Sequence, residues 1–98
     1  MDLAAFKKST ARGMPPSGLG SAIEALWWDA KGDWDKAHVC AQAQDDEIGA
    51  WVHAYLHRKE GDPQNAGHWY RRAKKKPATT TLDEEWCAIA ESLLHRVR

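Results

Sequence analysis

Two Gly-Asp dipeptides, Gly32-Asp33 and Gly61-Asp62, stand 29 positions apart, and each lies between two segments whose apolar residues recur with helical spacing. A glycine ends a helix by taking the left-handed conformation at little cost, and an aspartate after it can cap the next helix. Each dipeptide therefore reads as the turn of a helical hairpin. The flanks repeat at the same offset: Ala25 returns as Ala54, Ala37 as Ala66, and Ile23, Leu26 and Trp27 as Val52, Tyr55 and Leu56. A hairpin that cannot bury its own apolar face must stack on a neighbour, so the repeat predicts a short helical array.

Met14-Pro15-Pro16-Ser17-Gly18-Leu19-Gly20 is the one clear break, because its prolines and glycines cannot continue a helix. Ahead of it, residues 1–12 predict a short helix carried by Leu3 and Phe6. After it, Ser21-x-x-Glu24 reads as a capping box that opens a helix with Ile23, Leu26, Trp27 and Ala30 on one stripe. Asp33 opens the next helix, with Trp34, Ala37, Cys40 and Ala41 inward, and the two make a first hairpin over 21–44. A second hairpin spans 46–77. Its first helix has Asp45-Asp46-Glu47 at the start and His57-Arg58-Lys59 in the last turn, as the macrodipole favours, with the stripe Ile48, Trp51, Val52, Tyr55, Leu56. Its second helix begins at Asp62-Pro63, turns Ala66, Trp69, Tyr70 and Ala73 inward and is stopped by Pro77. Thr81-x-x-Glu84 is another capping box, which predicts a last helix over 81–98 bearing Leu82, Trp86, Ile89, Ala90, Leu93 and Val97. No segment alternates with period two, so the expected fold is all-α.

Residues 21–77 resemble the tetratricopeptide family. Ala25 to Ala37 and Ala54 to Ala66 keep that family's spacing of twelve between a small residue on the first helix and an alanine on the second. Ala66, Tyr70, Ala73 and Pro77 match its second-helix pattern, and Trp69-Tyr70-Arg71-Arg72-Ala73 looks like the corresponding run of the Sel-like relatives. Ala88 lies 34 residues after Ala54, which makes the last helix similar to the first half of a third, capping unit. Glu24 and His53 stand where the family carries a leucine, and Trp28 and His57 stand at its aromatic position. The resemblance implies stacked hairpins whose first helices line a shared concave side, the surface such arrays use for partners. The whole chain is also similar to a group of small bacterial proteins, which implies no activity.

A chain of 98 residues suits one domain with a small core. Met1 to Arg12 contains no apolar run of signal or membrane length, so a cytoplasmic location and no membrane partner are expected. Cys40 and Cys87 lack a C-x-x-C partner and are expected as small buried apolar residues. Formal charge is zero, but the first 49 residues hold 5 Lys/Arg against 8 Asp/Glu and the remainder 9 against 6. The chain is polar from end to end without the composition of a polyanion binder. Six tryptophans are present, and those outside the core are candidate contact residues.

No nucleophile with its base, no Gly-rich phosphate loop and no framed pair of carboxylates occurs, so neither an enzyme nor a cofactor is expected. His53 and His57 are four apart, the spacing that lets two imidazoles reach one metal, but Ala54 stands where H-E-x-x-H has its glutamate. No spacing fixes a third ligand, although His38 and His68 exist. The pair is therefore expected to pack and to make contacts, without metal, on a central helix whose Ala50 and Ala54 admit a close neighbour; metal-dependent activity is an alternative. Arg71-Arg72-x-Lys74-Lys75-Lys76 could touch phosphates, but the helix dipole accounts for it and the neutral pI argues against nucleic acid. Trp28, Asp29, Trp51, Tyr55 and Arg58, with His53 and His57, are the expected contacts of an adaptor module for an unidentified protein or peptide; Trp51 and Tyr55 fit the core equally well. Self-association, if present, is expected as a closed homodimer through an uncovered apolar end, with Leu3 and Phe6 covering the other.

Overall fold

Both Gly-Asp dipeptides act as their chemistry requires. Gly32 and Gly61 are left-handed, at φ 84° and 88°. The N–H groups of Gly61 and Asp62 donate to the carbonyls of Arg58 and His57 at 3.1 and 3.0 Å, and those of Gly32 and Asp33 to Asp29 and Trp28 at 2.9 and 3.0 Å. Each aspartate then caps the following helix, Asp33 accepting from the Lys36 N–H at 3.0 Å and Asp62 from the Asn65 N–H at 3.2 Å. One dipeptide thus stops a helix and starts the next.

The computed structural model describes residues 1–96. The helices are α1 Leu3–Ser9, α2 Ser21–Ala30, α3 Trp34–Ala43, α4 Glu47–Glu60, α5 Pro63–Ala73 and α6 Leu82–Arg96, and no strand occurs among the described residues. The chain is all-α. Val97, expected on the last stripe, lies outside the described residues. Among those residues, no helix is long and apolar enough to cross a membrane.

Several local expectations are corrected. Thr81 and Glu84 do form a capping box, each backbone N–H donating to the other's side chain at 3.2 and 3.1 Å. Ser21 and Glu24 do not: α2 is preceded by Gly20 without a side-chain cap, and the Ala22 N–H donates to Gln44 Oε1 at 2.9 Å. Gln44 also donates to the Asp46 carboxylate at 3.2 Å, and Asp46 caps α4 by accepting from the Gly49 N–H at 2.8 Å. A single side chain therefore ties the starts of α2 and α4 together. At the other end, α5 stops at Ala73, ahead of Pro77, because Lys74 takes the left-handed conformation at φ 58° and Lys75 N–H closes onto the Tyr70 carbonyl at 3.0 Å. A lysine there carries a strain of about 1 kcal/mol that a glycine would not.

The core follows from α4, which packs against α2, α3, α5 and α6. Phe6, Ile23, Leu26, Trp27, Val52, Leu56, Trp86, Ile89 and Leu93 form the main cluster, and Ala54, Ala66 and Tyr70 form a smaller one inside the second hairpin. The last helix, α6, lies across α2 and α4 together and also meets α1. Trp86 Nε1 donates to the Leu26 carbonyl at 3.0 Å, and Phe6 stacks on Trp86 with centroids 5.7 Å apart. Ala30 is exposed, and Cys40 and Cys87 are half-buried instead of buried. For Cys40 the reason is that α3 buries only Ala37 and Ala41.

Among the glycines the tightest surroundings are at Gly49, where a Cβ would fall 1.8 Å from the Gln44 carbonyl oxygen and 3.1 Å from that of Ala41. In an ordinary helix Gly→Ala gains up to about 1 kcal/mol. Gly49→Ala is instead expected to cost about 3 kcal/mol or more, because the obstructing atoms are backbone. Urea unfolding of the variant checks this, and stability at or above the parent's would show that the α3–α4 turn does not approach α4 in this way.

Candidate metal centre

Helix α3 crosses α4 with His38 facing the side of α4 that carries His53 and His57. The i,i+4 spacing stacks the two α4 imidazoles, with centroids 4.8 Å apart, and His38 stands edge-on to both at 4.6 and 5.2 Å. One ring nitrogen from each of the three lies within 4.8 Å of the others. His38 Nε2 and His53 Nε2 are 2.9 Å apart, so one ring donates and the other accepts. His57 Nδ1 lies 2.7 Å from Glu60 Oε2. Its proton goes to the carboxylate, which leaves His57 Nε2 with a free lone pair.

Two tryptophans wall the cluster. Trp34 stacks on His38 at 4.9 Å and meets His57 edge-on at 5.8 Å, held by its Nε1 donating to the Leu56 carbonyl at 2.9 Å. Trp69 stacks on His53 at 3.8 Å with 13° between the planes, and the Arg72 guanidinium lies over the same tryptophan at 5.1 Å. His53 and His57 are buried and His38 is half-buried, and a small hollow beside the cluster is lined by His53 and Trp69 with Ala41, Gln42 and Gly49. Burial, followed by the neighbouring His38, His57, His68 and Arg72, pushes His53 down to about 4. Burial and His57 lower His38 as well.

The residues expected to meet a partner separate into two groups. Asp29 is only 4% exposed and is corrected from surface to interior, while Tyr55, at 2%, takes the core placement that its stripe allowed. The Asp29 carboxylate accepts from Tyr55 Oη at 2.8 Å and from Lys59 Nζ at 2.9 Å. Arg58 is half-buried and is engaged internally, donating to Glu85 at 2.8 Å and to the Thr80 carbonyl, while Glu85 also accepts from Tyr70 Oη. The cause is α6, which covers the side of α2 and α4 where these residues were expected to be open. Trp51 is half-buried under the Lys75 ammonium, 4.3 Å from its ring. Trp28 is likewise half-buried under the Lys36 ammonium, 4.3 Å from its ring, with Val39 and Cys40 beside it. In the basic run, Arg72 pairs with Asp45 at 3.2 Å and Lys74 with Glu47 at 3.1 Å, so much of its charge is answered within the chain.

His53 and His57 are brought together as their spacing implied, and His38, Trp34, Glu60 and Asn65 join them. Trp34 and Trp69 were assigned to apolar stripes, and their flat faces are spent on imidazoles. The missed signal is local: Trp34 and His38 are four apart on α3, and Glu60 is three after His57 on α4.

The depressed His53 has a consequence for stability. The unfolded chain takes up this proton near the ordinary value of about 6.5, while the folded chain resists it down to about 4. Stability is therefore complete above the unfolded value and is lost as pH falls towards the folded one. With chelator present, the unfolding free energy is expected to fall by about 1 kcal/mol between pH 6 and 5, and by clearly less in His53→Gln. Equal slopes in the two proteins would contradict a buried neutral His53. No protein-family model, no curated protein and no solved structure matches the chain, so the assignment of the site stands on these residues and distances alone.

Proposed function

We propose that this chain is a metal-binding helical domain that holds one divalent transition-metal ion, zinc being the best fit, on His38, His53 and His57. The observation that carries the proposal is the convergence of three ring nitrogens from two helices within 4.8 Å. A zinc ion at its usual distance from three imidazoles sets their nitrogens roughly 3.4 Å apart. That value lies between the 2.9 Å of the His38–His53 pair and the 4.8 Å outer limit, so small side-chain rotations suffice. Glu60 supports the reading, since a carboxylate on the far nitrogen of a ligating imidazole fixes its tautomer and raises its basicity. Neutral His53 supports it too, because no second proton competes with a metal there and the one shared with His38 can move to the far ring nitrogen. His53 and His57, expected as packing residues, become ligands in this reading because α3 supplies His38.

Titration of the chelator-stripped protein is expected to show one equivalent of zinc or cobalt(II) bound. His38→Gln, His53→Gln and His57→Gln should each weaken binding by about 100-fold or more, and Glu60→Gln by about 10-fold to 100-fold. Zinc at about 100 times its Kd should add roughly 2.7 kcal/mol of stability. Zinc binding unaffected by all three histidine substitutions would overturn the proposal.

A second reading, an adaptor surface for a protein partner, is favoured by Val39, which is 64% exposed beside half-buried Trp28 and Cys40 in a hollow of about 260 Å³. A photo-crosslinking residue at position 39 is expected to capture a protein in the cell that one at exposed Gln64 does not. Equal capture at both positions would remove this reading.

A further inference from the structure

We infer that the metal at this centre keeps one coordination position for an exogenous oxyanion of the carboxylate or bicarbonate class, and that Asn65 orients it. The inference rests on the metal reading above. Three observations carry it. First, the ligand set closes at three: among the described residues, no fourth His, Cys, Asp or Glu shares the 4.8 Å neighbourhood of all three imidazoles. Zinc bound by three protein groups completes its tetrahedron with water or another small ligand. His38 is half-buried and a small hollow reaches His53 and Trp69, so that ligand can exchange.

Second, a hydrogen-bond donor stands beside the open position without a good partner of its own. The Asn65 Nδ2 lies 3.5 and 3.4 Å from the two ring nitrogens of His57. An atom nearly equidistant from both nitrogens sits over the ring and not in line with either lone pair, so its N–H groups remain available. Asn65 is fixed in place on the first turn of α5, where its backbone N–H donates to Asp62 Oδ1 at 3.2 Å. Third, the charge is right. Three imidazoles bring no negative charge to the dication; Glu60 binds His57 from behind with Asp62 beside it, and the Arg72 guanidinium over Trp69 is already paired with Asp45. An anion at the open position is therefore drawn by the metal itself. Binding is a ligand exchange: the carboxylate oxygen bonds the metal as the water oxygen leaves it, with no change of oxidation state.

Cobalt(II)-loaded protein tests this, because its visible absorption reports the ligand set. Acetate and bicarbonate, added separately, are each expected to shift the bands saturably. Asn65→Leu should weaken acetate about tenfold with cobalt affinity changed less than about twofold. The isosteric Asn65→Asp, which removes the donor and adds a negative charge, should weaken acetate further. Bands that respond to neither anion would overturn the open position, and equal acetate affinity in parent, Asn65→Leu and Asn65→Asp would overturn the role of Asn65. Failure of the parent protein to bind cobalt at all would instead sink the metal reading on which both depend.

Discussion

Six consecutive residues of α4, Val52 to His57, are buried, so this helix is enclosed around more than a full turn. Few helices in so small a domain meet that condition, and the rest of the molecule answers it. Any polar group on such a segment must find a partner inside the protein or be left unsatisfied at a cost of about 1–3 kcal/mol. Tyr55 finds Asp29 on α2, His53 finds His38 on α3, and His57 finds Glu60 one turn on. The buried polar links between elements are thus consequences of putting a helix with this sequence at the centre.

Those links differ in kind. Asp29 with Tyr55 and Lys59, and Glu85 with Tyr70 and Arg58, are closed sets in which each carboxylate is answered by a hydroxyl and a cation. Burial and the adjoining carboxylates raise both tyrosine hydroxyls, so they stay protonated and remain donors. Such sets orient helices more than they add stability, since each buried ion must be stripped of water before it is paired. The histidine cluster is not closed in this way. Its rings bond to one another and to Glu60 between the flat faces of Trp34 and Trp69, an arrangement that the proposed metal would use.

Local chemistry was legible in the sequence and distant chemistry was not. Gly32-Asp33, Gly61-Asp62 and Thr81 with Glu84 could be read because both ends of each interaction lie within a few residues. The stripe through Val52 and Leu56 could be read because period is a local property. The Ser21 box failed because a residue 22 positions from Ala22, Gln44, supplies the acceptor. Asp29 was placed outside because nothing in the spacing of α2 and α4 says that α6 will lie across both, and for the same reason Tyr55 fitted core and groove equally well. For the site itself, His53 and His57 could be paired by their spacing and His38 by its own with Trp34, but nothing local says that α3 brings the two pairs together.

The contact of α1 with α6, through Phe6 on Trp86, means that the first and last helices complete the same core. During synthesis, both hairpins leave the ribosome with Leu26, Val52 and Leu56 uncovered. At ordinary elongation rates about one to five seconds separate the end of α5 at Ala73 from the end of α6 at Arg96. The nascent chain therefore passes through a stage with local turns formed and its apolar side bare, a stage at which chaperones or a second nascent copy can engage it. Residues 82–96 end that stage when they arrive to close it.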